Sequence, residues 1–123
     1  MYQEELMDHY QHPRHRGILT GADFDSGQYN PSCGDAVTMQ GKITNDVITH
    51  IAFEGKGCVI SQATASMLAE YALGKPIDEL SQFSVDDMLQ LIKIPLGPTR
   101  LKCALLSLHA LKEGIKQFQQ KGL

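Results

Sequence analysis

The residues with most chemistry to offer are three cysteines, Cys33, Cys58 and Cys103. Each has a glycine or proline nearby. Cys33 lies in Asn-Pro-Ser-Cys-Gly-Asp (30–35), Cys58 follows Gly-Lys-Gly (55–57), and Cys103 comes just after the Pro95–Pro98 break. A cysteine serving as a small core hydrophobe is more often embedded in apolar sequence. The pattern predicts that Cys58 starts one helix and that Cys103 sits in the first turn of the last helix. At such positions partial positive charge and free N–H groups favour the thiolate, which binds metals and attacks sulfur electrophiles. Taken singly, each thiol also fits a buried structural role. Three at element junctions make a shared site an equal alternative.

The spacing is wide, unlike the C-x-x-C of a zinc knuckle, so the thiols share a site only if the fold gathers three turns. Zinc normally takes four ligands, and three thiolates leave one position. Asp35, two residues beyond Cys33, can fill it with a carboxylate oxygen. That set leaves net negative charge around Zn²⁺, and Arg100 and Lys102 are candidate counter-cations. The same four atoms suit a 2Fe–2S cluster with two ligands per iron. An oxygen ligand would make such a cluster more labile than four thiolates would. The histidines compete poorly. His9, His12 and His15 surround Pro13 and read as a solvated helix end, His50 as a surface strand residue, and His109 as lying on the helix face opposite Cys103. There is no G-x-S-x-G, P-loop or dinucleotide fingerprint.

The elements that must position these residues follow from periodicity. Tyr2, Leu6 and Tyr10 mark one face of a helix over residues 2–10 that Pro13 ends. Residues 17–34 read as a loop with at most one short edge strand. Residues 36–43 and 46–55 alternate as an antiparallel hairpin turning at Thr44-Asn45, with Val47, Thr49 and Ile51 on one face. Residues 59–75 recur at helical spacing up to Gly74 and Pro76, with Ser61, Thr64 and Ser66 as small residues that allow close packing. Residues 77–82 suit one helical turn. Ser84 with Asp87 resembles a capping box opening a helix through Ile92. Leu101, Ala104, Leu105, Leu108, Leu111, Ile115 and Phe118 form the stripe of one last amphipathic helix. The fold class is α+β, a small antiparallel sheet beside helices, and residues 1–123 read as a single domain.

Bulk composition excludes several classes. At 123 residues, 42% hydrophobic and 20% charged, the chain can bury a core. A formal net charge of −3 without a Lys/Arg cluster argues against nucleic acid as partner. No apolar run suggests a membrane span, and the first 17 residues lack the apolar core of a secretory signal. An odd cysteine count excludes a fully paired disulfide framework, and the expected compartment is the cytoplasm.

Four blocks together carry a resemblance: Leu6–Gly17 (LMDHYQHPRHRG), Asn30–Asp35 (NPSCGD), Phe53–Met67 (FEGKGCVISQATASM) and Arg100–Leu106 (RLKCALL). In this order they are similar to the IscU/SufU/NifU N-terminal family of iron–sulfur cluster assembly proteins, nearly end to end. The resemblance implies a three-stranded sheet with helices packed on it. It also implies Cys33, Asp35, Cys58 and Cys103 as ligands converging at one end. The implied function is a scaffold that accepts persulfide sulfur from a cysteine desulfurase. It would hold a transient 2Fe–2S cluster or iron, and pass it to iron–sulfur acceptor proteins. Such a chain is a scaffold or sulfur-transfer protein rather than a turnover enzyme, monomeric or weakly self-associating.

Within the family, the scaffold branch has a histidine before the third cysteine and an upstream L-P-P-V-K motif. Here Lys102 takes the histidine's place, and the stretch reads IPLGPTRLKC (94–103). That ligand set is closer to the branch that binds zinc and relieves its desulfurase of sulfur. That branch carries a long insertion before the third cysteine, for which this chain has no room. The alternatives are therefore a zinc-dependent sulfurtransferase that builds no cluster and, in another class, a zinc-stabilised interaction module. Cys103 is the first candidate persulfide acceptor, because the Pro95–Pro98 loop could swing it toward a partner, and Cys33 is close behind.

Overall fold

A two-residue turn sets the register of the sheet. The computed structural model describes residues 2–121. Asn45 and Asp46 both have positive φ, 53° and 62°, as a type I′ hairpin requires. The turn thus lies one residue beyond Thr44-Asn45, joining β2 (Asp35–Thr44) to β3 (Val47–Lys56). β1 (Phe24–Asn30) pairs antiparallel with β2, giving a three-stranded sheet in the order β1-β2-β3. The segment read mainly as a loop therefore contains a seven-residue edge strand.

The pairing shifts between Lys42 and Ile43, leaving Thr49 without a partner across from β2. This bulge overturns the expected alternation of Val47, Thr49 and Ile51. Ile48 and Ile51 are buried instead, while Thr49 is exposed and its hydroxyl donates to Lys42 O at 3.3 Å. The outer edge of β3 is partly covered by the N-terminal segment, through Phe53 N–H to His15 O and Gly17 N–H to Phe53 O.

Helix α1 (Tyr2–Gln11) buries Leu6 and His9, while Tyr10 is 41% exposed. The side chain of Tyr2, the third member of the expected face, lies outside the described residues. Helix α2 (Val59–Ala72) is buried continuously from Ser61 to Ala69 and packs against α1, both β2 and β3, and the C-terminal helices. Its alanines, serines and threonine are short enough to admit neighbours on every side. α3 (Ile77–Ser81) and α4 (Val85–Ile92) follow. At α4 the capping box is complete: Asp87 N–H donates to Ser84 Oγ at 3.0 Å, and Ser84 N–H to Asp87 Oδ2 at 2.9 Å.

The single last helix expected from the apolar stripe is two helices, α5 (Pro98–Ala104) and α6 (Leu106–Lys121), bent at Leu105. The bend keeps hydrogen bonds on both sides, Leu105 N–H to Leu101 O and His109 N–H to Leu105 O. It lets α5 pack on α2 while α6 packs on β1 and β2. At that contact the Phe24 ring lies between Gly41 and Gly114, and a Cβ at either position would collide with it. The architecture is α+β, as expected. No helix among the described residues is long and apolar enough to cross a membrane.

Candidate metal and sulfur site

Cys33 lies in the β1–β2 connection. Asn30 shapes that turn: its Oδ1 accepts from Ser32 N–H at 3.1 Å, and its carbonyl accepts from Cys33 and Gly34 N–H. Gly34 has φ of +74°, which glycine adopts without strain. The turn leaves Cys33 exposed. Asp35 then starts β2, opposite Asn30, on the side of the strand that buries Val37 and Met39. Alternation thus turns its carboxylate inward, leaving it 1% exposed.

A buried carboxylate needs donors. Cys58 supplies two, its N–H to Asp35 Oδ1 and its Sγ to Oδ2, both at 3.0 Å. Cys58 is the N-cap of α2 and makes no side-chain cap of its own. The anion at this helix start therefore comes from β2, where the helix dipole favours it. Gly57 makes the approach feasible. Its φ is +128°, and a Cβ there would collide with the Asp35 carboxylate. Burial pushes the Asp35 pKa up, but hydrogen bonds from Cys58, Cys103 and Cys33 outweigh it and hold the group below the ordinary carboxylate range.

Cys103 is in the last turn of α5, not the first turn of a long helix. It is 4% exposed, so the expected thiolate-favouring helix start applies to Cys58 alone. Burial pushes the Cys103 thiol well above its usual range, and Asp35 and the other two thiols push the same way. Its Sγ stands 3.7 Å from Cys33 Sγ. Cys33 Sγ, an Asp35 oxygen and Cys103 Sγ all lie within 4.8 Å of one another, a group able to hold a metal ion. Two sulfurs each ~2.3 Å from a tetrahedral zinc stand about 3.8 Å apart, so the Cys33–Cys103 separation fits that geometry. Cys58 touches the same carboxylate from outside this group.

A pocket of about 610 Å³ opens on the three thiols. Leu6 and Met7 of α1, Val59 and Ile60 of α2, and Thr99 and Arg100 of α5 are among its walls. Of the two candidate counter-cations, Arg100 lines this pocket. Lys102 lines a separate pocket with Tyr29, Leu105 and His109. His50, His12 and His15 are exposed. His9 is not a solvated helix end. It is buried, with Nδ1 2.8 Å from Ser66 Oγ. Neither this role for Ser66 nor the Gly57–Asp35 contact was legible beforehand. The glycines around Cys58 signalled the latter only as a turn.

The sequence profile of the NifU-like N terminal domain matches residues 1–123. The chain belongs to that family. A relative from Bacillus subtilis (strain 168) named zinc-dependent sulfurtransferase SufU is 36% identical, aligned over 94% of this chain and 89% of its own. A relative from Thermotoga maritima named iron–sulfur cluster assembly scaffold protein IscU is 30% identical over 98% of this chain and 96% of its own. A solved structure from Fervidobacterium islandicum AW-1, described as a putative iron–sulfur cluster assembly scaffold protein for the SUF system, superposes with a TM-score of 0.80. It is 26% identical, with 91% of this chain and 94% of that one covered. Members of the NifU-like family thus carry both names, scaffold and zinc-dependent sulfurtransferase. The two sequence alignments span 132 and 136 positions, more than this chain's 123 residues, so relatives of either name carry residues that this NifU-like chain lacks. Alignment length therefore does not separate these two relatives.

Proposed function

We propose that this chain is an iron–sulfur assembly scaffold that takes persulfide sulfur from a cysteine desulfurase. On this reading it holds a metal ion or a transient 2Fe–2S cluster on Cys33, Asp35, Cys58 and Cys103 for iron–sulfur acceptor proteins. The observation that carries the reading is that Cys33 of the β1–β2 turn, Asp35 at the start of β2 and Cys103 of the distant α5 meet within 4.8 Å. Cys58 shares the same carboxylate. A bound metal would supply positive charge that keeps the thiols as thiolates. The chain's own contribution is geometric. Gly57 admits the carboxylate, Cys58 N–H fixes it, and Arg100 faces the pocket.

For the acceptor, burial favours Cys33 over Cys103. Cys33 is exposed on a turn, whereas Cys103 is buried and the Ile94 and Leu96 side chains preceding it pack against the core. An exposed thiol can meet a partner's persulfide without opening the fold.

The second reading, a zinc-dependent sulfurtransferase, is favoured by Lys102, which offers no lone pair at the position before Cys103. Anaerobic incubation with iron, desulfurase and cysteine separates the two. The scaffold reading expects cluster absorption in the visible range. Colourless protein whose zinc-loaded form raises desulfurase turnover would replace it with the sulfurtransferase. Cys33→Ser should keep the fold by circular dichroism, since Cys33 lies outside the core. Unfolding by that substitution would instead favour a zinc-stabilised interaction module.

A further inference from the structure

The exposed thiol and the buried thiol stand unusually close for two free cysteines. Cys33 Sγ and Cys103 Sγ are 3.7 Å apart, while Cys58 Sγ is engaged by Asp35 at 3.0 Å. Closing that gap to the ~2.05 Å of a disulfide requires only a modest movement. Cys33 can supply it. The residue sits on an exposed turn, whereas Cys103 is fixed within a packed helix. The pair joins β1–β2 to α5, 70 positions apart in the chain, so the fold and not local sequence creates the juxtaposition.

We propose that in the metal-free chain Cys103 resolves a persulfide carried on Cys33, releasing its outer sulfur as sulfide and leaving a Cys33–Cys103 disulfide. This rests on the reading of Cys33 as persulfide acceptor. The Asp35 carboxylate, within 4.8 Å of both sulfurs, takes up the Cys103 thiol proton and relays it. Cys103 Sγ attacks Cys33 Sγ, the bond from Cys33 Sγ to the outer sulfur breaks, and the Sγ–Sγ bond forms. The outer sulfur is reduced from sulfane to sulfide. The two cysteine sulfurs supply the electrons and become the disulfide. The Cys103 thiol proton leaves with the departing sulfur, giving hydrogen sulfide. No external reductant enters that step, and a thiol reductant restores the two cysteines afterwards. The resulting activity is a single release of sulfide from a donor that delivers only sulfane sulfur. Metal on the same two thiols would block it, because the attacking and accepting sulfurs would both be ligands.

The test uses the full chain, stripped of metal and reduced, then treated anaerobically with one equivalent of sulfane sulfur as inorganic polysulfide, the released sulfide being trapped before the protein is desalted. Trapped sulfide, intact mass and a peptide map are read together. The wild type is expected to release one sulfide per chain beyond that left by the spent polysulfide, to become two hydrogens lighter than its reduced form, and to link the Cys33 and Cys103 peptides. Cys103→Ser is expected to retain one extra sulfur on Cys33 and to release only the sulfide left by the spent polysulfide. Cys103→Ala serves if a hydroxyl at that buried position disturbs the fold. Wild type that keeps the extra sulfur on Cys33 without a link overturns the inference and leaves the acceptor reading standing, as does a link from Cys33 to Cys58. If neither Cys103 variant gains sulfur at Cys33, the acceptor reading fails and this step fails with it.

Discussion

Asp35 meets two demands at once: it caps the start of α2 from a neighbouring strand, and it stands among the thiols as an oxygen donor. Removing it leaves Cys58 N–H without its acceptor and the thiols without their carboxylate. Removing a group that orients a metal's ligands ordinarily costs about 10–100-fold in affinity, and loss of a ligand costs no less. Asp35→Ala should therefore weaken zinc binding by at least about tenfold, or ~1.4 kcal/mol. Competition against a chromophoric chelator measures this, and unchanged affinity would remove Asp35 from the ligand set. Gly57→Ala offers a sharper test because Gly57 contributes no ligand atom. Both its φ of +128° and the collision with the carboxylate oppose a methyl group there. The same titration should show weaker binding, and full affinity would mean the carboxylate reaches the thiols by another route. Cys33, Asp35 and Cys58 were legible because glycine and proline mark their turns. The burial of Cys103 was not, because neither residue marks the bend at Leu105 that ends α5.

At the scale of elements, the docking of α6 on the sheet depends on the Phe24 ring between Gly41 and Gly114. Exchanging a helical glycine for alanine ordinarily gains about 1 kcal/mol of helix propensity. Overpacking a filled site costs about 1–3 kcal/mol. Phe24 is 2% exposed and has Gly41 behind it, so the ring has little room to retreat. The packing penalty should win, and Gly114→Ala should lower the unfolding free energy in urea. A stabilised variant would mean that the ring can move. Sequence periodicity predicted β2, β3, α2 and α4 because their apolar spacing is regular. It understated β1, where FDSGQYN offers few apolar residues to alternate. It also missed the Thr49 bulge, since a pairing shift depends on the partner strand and leaves no mark within its own.

Across the whole molecule, α1 and the segment after it fasten onto the core beside the sulfur site. Ser66 of α2 contacts both His9 Nδ1 and Arg14 N–H at 2.8 Å, and Arg14 also pairs with Asp8 and approaches Glu70. Leu6 and Met7 of the same helix wall the cysteine pocket. His9 is the titrating member of this clamp. Burial holds its pKa below the ordinary 6.5, and Arg14 acts in the same direction, against the opposing pull of Glu70, Asp8 and Glu5. The folded chain therefore keeps His9 neutral at a pH where the unfolded chain already binds a proton. Its contribution to stability is intact above about 6.5 and is lost as pH falls through the depressed folded value. Asp8, Asp35 and Asp87 are also held low, but their contributions fade only below the carboxylate value of 3.8, which separates the two windows. Urea midpoints of metal-free protein should thus decline on mild acidification below about 6.5, with a slope of at most about 1.4 kcal/mol per pH unit for one proton. His9→Asn places an amide near the Nδ1 position without a titrating ring and should flatten that decline while lowering stability at neutral pH. Equal slopes for the two proteins would assign the acid sensitivity to another group. A flattened slope would tie the clamp, and with it one wall of the sulfur site, to the protonation of His9.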